Sequence, residues 1–428
     1  MTLSERDNKV IWHPYTQMQT AGLTVAIVWG EGARLYDEQG NEYIDAISSW
    51  WVNIHGHANQ YIAQKVSEQL RTLEHVIFAG FTHKPAVELA ERLLKVLPQN
   101  QGRIFFSDNG STAVEVAIKM ALQYWYNQGI NRRTIVALNN SYHGDTFGAM
   151  SASVRDLFTE PFWDLLFDVV RVDAPVKGNE KNALSQMEKA LERNDIAAFI
   201  FEPLLQGAGG MIVHDAEPLD WLIEICKQKK VPTIADEVLT GFGRTGKFFA
   251  SDYLKNKPDI ICLSKGITGG TMALGATSCT KEIYDAFLSD DKRKSFFHGH
   301  SYTGNPVACA AALASLDLLE QPRTWESIKR IESGHRVFLS QICNRPLVEN
   351  PRQIGTILAF DVKTDEETSY LNLLRDRMSD FCLHHGVIIR PLGNIVYIMP
   401  PYCITEGDLE KVYSVLQSML NAVTASKV

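Results

Sequence analysis

The chain predicts an α/β fold with a mostly parallel sheet flanked by helices, and three observations carry that expectation. Short runs of β-branched, aliphatic and aromatic residues recur between Arg103 and Ser264. Several are separated by stretches with helical periodicity. No repeat, low-complexity tract or Ser/Gly/Pro-rich linker interrupts the order. Strands that alternate with helices pair in parallel, because a parallel crossover needs a helix-length connection, and the helices then cover both faces.

Taken in order, the expected strands are Arg103–Ser107, Thr134–Leu138, Ala197–Glu202, Val231–Asp236 and Ile260–Ser264. Between the first two, Ala113, Val114, Val116, Ala117, Met120, Ala121 and Tyr124 recur at spacings of three and four, the signature of a helix with one buried face. The last hundred or so residues read differently. There Thr356–Val362, Ile388–Arg390 and Ile395–Met399 are expected strands, interleaved with helices over Tyr370–His385 and Asp408–Ala425. Thr405 and Asp408 stand at the spacing of a helix N-cap pair. The expected division is an N-terminal segment, 1–45, that joins a small α+β domain over 326–428, with a large domain over 46–325.

Composition narrows the function. The 428 residues are 45% hydrophobic and 21% charged, as in an ordinary globular protein. Forty-two basic against fifty acidic side chains give a net charge of −8, and the longest basic patch is the short Lys292-Arg293-Lys294, so a nucleic-acid partner is not expected. No apolar run approaches the roughly 18 residues of a membrane span, and Met1–Asp7 has no apolar signal core. Seven scattered cysteines without a C-x-x-C pair suit neither a disulfide framework nor a zinc site. A cytoplasmic protein with small-molecule substrates and no metal is expected.

Several motifs are weak. Gly241-Phe242-Gly243-Arg244-Thr245-Gly246 spells a dinucleotide fingerprint, but Lys247-Phe248-Phe249-Ala250 is a poor helix start and Asp259 precedes the next strand instead of ending it. Phe248 also stands where a Walker loop needs Ser or Thr. His55/His57 and His298/His300 have metal-pair spacing without an acidic or cysteine ligand beside them. Two constellations are stronger. Ser107-Asp108-Asn109-Gly110-Ser111-Thr112 lies between a strand and a well-patterned helix, where small residues let backbone amides close on an anion, or simply cap the turn. Asp236 ends one apolar run, and Lys265 follows another 29 positions later. Ends of parallel strands face the ligand crevice of an open α/β sheet, although a buried ion pair would also satisfy that spacing.

Phosphate-type turn, strand-end aspartate and strand-end lysine, in that order, resemble a fold-type I pyridoxal-phosphate enzyme. Thr233–Val238, Gly241–Gly246, Pro258–Ile260 and Ser264–Gly266 resemble the signature of the class III (ω-amino) aminotransferases. Ile11–Met18, Ser48–Trp51, Tyr142–Met150, Gln206–Met211, Gly269–Met272, Gly304–Pro306 and Ile389–Pro391 are similar to the branch of that family acting on 8-amino-7-oxononanoate. The resemblance implies a pyridoxal 5′-phosphate cofactor, with Lys265 as its covalent anchor and proton carrier and Asp236 paired with the ring nitrogen. It places Tyr142 and Val238 on the two ring faces and Gly110 and Ser111 at the phosphate. Ser301 falls where the family carries a threonine from the neighbouring subunit, which implies a homodimer with a shared active site.

For the substrate, the resemblance implies amination of 8-amino-7-oxononanoate to 7,8-diaminononanoate in biotin synthesis. Arg390 offers a fork for the terminal carboxylate, and Tyr15, Trp50 and Tyr142 offer aromatic faces for the methylene chain. S-adenosyl-L-methionine is the expected amino donor, since its sulfonium would gain about 0.5–2 kcal/mol over an aromatic face. Lysine as donor, or another ω-amino acid transamination, are the alternatives. The bland alternative for Trp50 and Trp51 is a core role: in a strand, neighbours point to opposite faces, so at least one of the two could be only packing.

Overall fold

The computed structural model describes residues 1–364, 372 and 374–425. Its centre is a sheet of seven strands: β1 (Gln101–Ser107), β2 (Thr134–Leu138), β3 (Val169–Val172), β4 (Ile196–Phe201), β5 (Thr233–Asp236), β6 (Ile260–Leu263) and β7 (Gly275–Thr280). They lie in the order β1-β7-β6-β5-β4-β2-β3. The strands from β6 to β3 are parallel, whereas β7 runs antiparallel to both β6 and β1. All six residues of β4 are buried, which is why it reads as an unbroken apolar run instead of an alternating one. Each large apolar side chain enclosed there contributes about 1.5–3 kcal/mol through burial.

Local chemistry explains where the elements start and stop. β5 begins at Thr233, two residues later than the apolar run, because Pro232 has no N–H to give the ladder. Helix α1 (Gly110–Asn127) opens on Asn109, whose side chain accepts the Thr112 amide at 2.9 Å, while the Thr112 hydroxyl accepts the Asn109 amide at 3.1 Å. Both orphan donors are thereby satisfied. The face of α1 carrying Ala113, Val116, Ala117, Met120 and Ala121 is buried against the sheet, and Thr277 of β7 donates to the Ala113 carbonyl at 2.8 Å.

Toward the C-terminus, Val348–Ile354, Ile357–Val362 and Ile395–Ile398 form an antiparallel sheet. The helices there are Pro322–Ile342, Leu374–His384 and Glu406–Ala425. The last is capped as expected, the Asp408 amide donating to Thr405 Oγ1 at 3.1 Å. Of the expected helix Tyr370–His385, residues 370, 371 and 373 lie outside the described residues. In place of the strand expected over Ile388–Arg390, the structure has Val387–Ile388. Strands Ile27–Glu31, Arg34–Asp37 and Glu42–Asp45 form an antiparallel sheet that Val387–Ile388 extends in parallel, with Val387 opposite Ile44. Among the described residues no helix is long and apolar enough to cross a membrane.

Candidate active site

The parallel register of β5 and β6 sets Asp236 opposite Cys262, so Asp236 and Lys265 leave the sheet at the same edge. Asp236 is buried; its Oδ1 accepts the Val238 amide at 3.1 Å and its Oδ2 lies 2.8 Å from His143 Nδ1. The other ring nitrogen of His143 is buried without a protein partner. Lys265 has a φ of +45°, a region that non-glycine residues rarely enter and that concentrates at functional sites. Its Nζ sits 4.8 Å from the Trp51 ring centroid. Burial lowers the Lys265 pKa from its usual value; Asp236 and Glu202 oppose that shift and the Arg244 cation adds to it.

Two cavities meet at this lysine. One, about 450 Å³, is lined by Gly110, Ser111, Tyr142, His143, Glu202, Asp236, Val238 and Lys265 among others. Gly110 is required there by close approach: a Cβ on it would lie 2.8 Å from Val238 Cγ1. The Gly110 and Ser111 amides precede the first intrahelical hydrogen bond of α1, and both residues line this cavity. The other cavity, about 410 Å³, is lined by Tyr15, Trp50, Trp51, Tyr142, Asp145, Phe158, Lys265 and Arg390 among others. Tyr15 meets Trp50 and Phe158 edge-on at 5.6 and 5.7 Å, and its hydroxyl donates to Asp145 at 2.6 Å. The Arg390 guanidinium lies 4.8 Å from the Trp50 ring centroid. Burial, then the Asp145 carboxylate, push the Tyr142 hydroxyl well above its ordinary pKa, so it stays protonated.

The structure thus brings Tyr15, Trp50, Gly110, Ser111, Tyr142, Asp236, Val238, Lys265 and Arg390 onto the walls of these two cavities. Ser301 is the exception. It is exposed, in a turn where the His75 ring bonds its carbonyl, and it lines neither cavity of its own chain. The tryptophans differ from expectation: Ser48–Trp51 is a tight turn and not a strand, so both rings reach the cavity wall, Trp51 buried with its Nε1 donating to Tyr397 at 2.9 Å. The glycine motif proves to be packing. A Cβ on Gly243 would meet Ile328 at 2.9 Å, and Arg244 is buried with its guanidinium donating to the Pro400 carbonyl at 2.9 Å. The histidine pairs do not converge: His55 lies 3.0 Å from Ser315 Oγ, His57 2.9 Å from Asp45, and His298 2.9 Å from Lys119.

Sequence reading did not single out Glu202 as a site residue, although it follows β4 as Asp236 ends β5. Its carboxyl is buried and accepts the Tyr142 amide at 2.9 Å and the Gly207 amide at 2.8 Å. Burial raises its pKa from 4.5 to about 7; His143 lowers it and Asp236 raises it further. The unfolded chain would lose this proton near 4.5, the folded chain near 7, so burial of Glu202 subtracts stability progressively as pH rises through that window. Cofactor-free wild type should therefore lose thermal stability between pH 4.5 and about 7 more steeply than Glu202→Gln. Parallel curves in pH-resolved calorimetry would show that Glu202 ionises normally.

Comparison with known proteins places these features in a family. The class III aminotransferase family model matches residues 15–420. The adenosylmethionine-8-amino-7-oxononanoate aminotransferase of Synechococcus elongatus is 46% identical over 421 residues, 96% of this chain and 99% of that protein. A crystal structure of the enzyme so named from Methanocaldococcus jannaschii superposes with a TM-score of 0.92 at 35% identity, covering 97% of this chain and 98% of that one. An amine transaminase from an uncultivated Pseudomonas species, solved in its PLP-bound form, superposes with a TM-score of 0.91 at 31% identity, covering 96% and 98%.

Proposed function

The chain belongs to the class III aminotransferases, and from that premise we propose that it uses pyridoxal 5′-phosphate to aminate 8-amino-7-oxononanoate. The product is 7,8-diaminononanoate, on the route to biotin, and the amino donor is S-adenosyl-L-methionine. One observation carries the reading: a cavity lined by the start of α1, Asp236 and Lys265 meets, at that lysine, an aromatic cavity walled by Trp50 and Arg390.

The donor set suits this cofactor. Lys265 offers an amine to its aldehyde, Asp236 a carboxylate to its ring nitrogen, and Gly110 and Ser111 a helix N-terminus to its phosphate. Tyr142 and Val238 offer flat and branched surfaces for the ring. Bound there, the cofactor supplies an electron-withdrawing ring that accepts negative charge from the substrate carbon bearing nitrogen. The chain does the rest. Asp236, oriented by the Val238 amide and His143, favours a proton on the facing nitrogen. Lys265, its basicity reduced by burial, can take the proton from one carbon and return it to another. Arg390 binds the terminal carboxylate, while Tyr15, Trp50 and Phe158 cover the methylene chain and exclude water. The same aromatic faces attract a sulfonium by about 0.5–2 kcal/mol.

The test is the half-reaction. Purified holoenzyme should lose the visible band of its lysine-bound cofactor on mixing with S-adenosyl-L-methionine and regain it with 8-amino-7-oxononanoate. Rapid conversion by lysine with no response to the sulfonium would change the donor and leave the acceptor standing. No conversion back by the keto acid would remove the proposed function.

We further propose a cytoplasmic homodimer in which Ser301 reaches the phosphate cavity of the second copy. Its exposed turn, outside its own cavities, and the family resemblance support the sharing, and seven free thiols suit a reducing compartment. Mixing Lys265→Ala chains with Ser301→Ala chains should build one intact site per heterodimer and regain activity that neither parent has. Demonstrable heterodimers without that gain would overturn the shared site, and recovery of the native enzyme from a periplasmic fraction would overturn the compartment.

A further inference from the structure

The turn that carries the tryptophan pair is held in a conformation its residues avoid. Ser48, Ser49 and Trp51 have φ values of +53°, +61° and +69°, and none is glycine or asparagine. Ser49, with ψ at −86°, lies close to the rare, strained form of γ-turn, and Trp50 follows at φ −135° and ψ 63°. A regular helix would turn the second tryptophan by about 100° from the first, and a strand would send it to the opposite face. Either would take one ring off the cavity wall. The strained turn keeps both there: Trp50 against Arg390 and Tyr15, Trp51 under the Lys265 amine.

One carboxylate holds this turn. Asp45, at the end of strand Glu42–Asp45, is fully buried. Its Oδ1 accepts the Ile47 amide at 3.1 Å and its Oδ2 accepts the Ser49 amide at 2.6 Å. The same Oδ2 lies 2.9 Å from His57 Nε2, and His57 Nδ1 is in turn 3.0 Å from the Asn53 side-chain amide. From the other side the Ser48 hydroxyl donates to the Met399 carbonyl at 2.8 Å. Asp45 lines neither cavity, so it acts only through the turn.

We propose that Asp45 is a positioning residue for acceptor selectivity: by holding the Ile47 and Ser49 amides it keeps Trp50 packed on Arg390 and so aims the arginine fork at the substrate's terminal carboxylate. This rests on the reading that Arg390 takes that carboxylate. Without Asp45 the three residues relax toward ordinary backbone, Trp50 leaves Arg390, and discrimination for the carboxylate falls while the chemistry at Lys265 continues.

The measurement is the ratio of kcat/KM for 8-amino-7-oxononanoate to kcat/KM for the same amino ketone lacking its terminal carboxylate. Wild type should favour the full acceptor; equal use of both would overturn the substrate reading and the selectivity role together. Asp45→Asn has a single acceptor oxygen, so it cannot hold the Ile47 amide on one side and the Ser49 amide with His57 on the other, and it should lower the ratio about tenfold, with cofactor affinity unchanged. Adding Ser49→Gly, which reaches the turn's angles without strain, should return the ratio to within about threefold of wild type, a rescue that a merely structural aspartate would not show. If Asp45→Asn does not fold, Ser49→Pro at the exposed end of the turn forbids the same φ and should reproduce the loss. A wild-type enzyme that prefers the full acceptor, with either variant keeping that preference or the double variant failing to regain it, would reject the role of Asp45 and leave the proposed function in place.

Discussion

Replacing Lys265 by alanine should lower transamination by about 10⁴-fold or more, because one side chain is removed from both covalent attachment and proton transfer. The cofactor should nevertheless stay bound. Asp236, the first turn of α1, Tyr142 and Val238 surround its cavity and are untouched by the substitution. The fold should survive as well, since alanine meets the same φ of +45° that lysine already tolerates. Borohydride treatment followed by peptide mapping should fix the cofactor to Lys265 in the wild type and to nothing in the variant. Lys247 and Lys119 provide internal controls. One stacks 3.9 Å over the Tyr253 ring and the other lies 2.9 Å from His298, and neither lines the two cavities. A label on either would move the anchor elsewhere and undo the assignment of the site.

Asp236→Asn should slow the half-reactions with both donor and acceptor, by about 10²–10³-fold if the carboxylate acts as a preorganised charge. Size and the acceptor for the Val238 amide are kept, so the change is confined to the charge and to the group facing His143. The histidine behind it should respond too. With aspartate, His143 donates from Nδ1 to Oδ2; with an amide nitrogen there, Nδ1 must accept and the ring proton moves to Nε2. That tautomer change is observable by nitrogen NMR even where turnover is too slow to follow. Single-turnover rates close to wild type would remove any role for the charge.

The main features of this site were legible because their signals are local. Asp236 and Lys265 stand at the ends of apolar runs, and in a parallel sheet the ends of such runs share one edge. Asn109 and Thr112 cap α1 with residues three apart. Glu202 had the same strand-end position but no partner within reach of a sequence pattern. Its contacts are the amides of Tyr142 and Gly207, one of them sixty positions away. The glycine motif misleads for the converse reason: its small residues answer to Ile328 and Tyr402, which come close only when the chain is folded.

By itself, then, the sequence determined five of the seven central strands, the cap of α1 and the aspartate–lysine pair, because periodicity, capping and strand ends are properties of a few neighbouring residues; β3, β7 and the three N-terminal strands it did not single out. Only the tertiary structure decided how β7 enters the sheet antiparallel, that Val387 pairs with Ile44, and which way Trp50 and Trp51 face. Each of those depends on groups far apart in the chain. The turn at Ser48 stands against its own backbone preference because the buried Asp45 carboxylate and the Met399 carbonyl take its donors. No local propensity contains that balance, since strain there is offset by hydrogen bonds that exist only after the chain has closed upon itself.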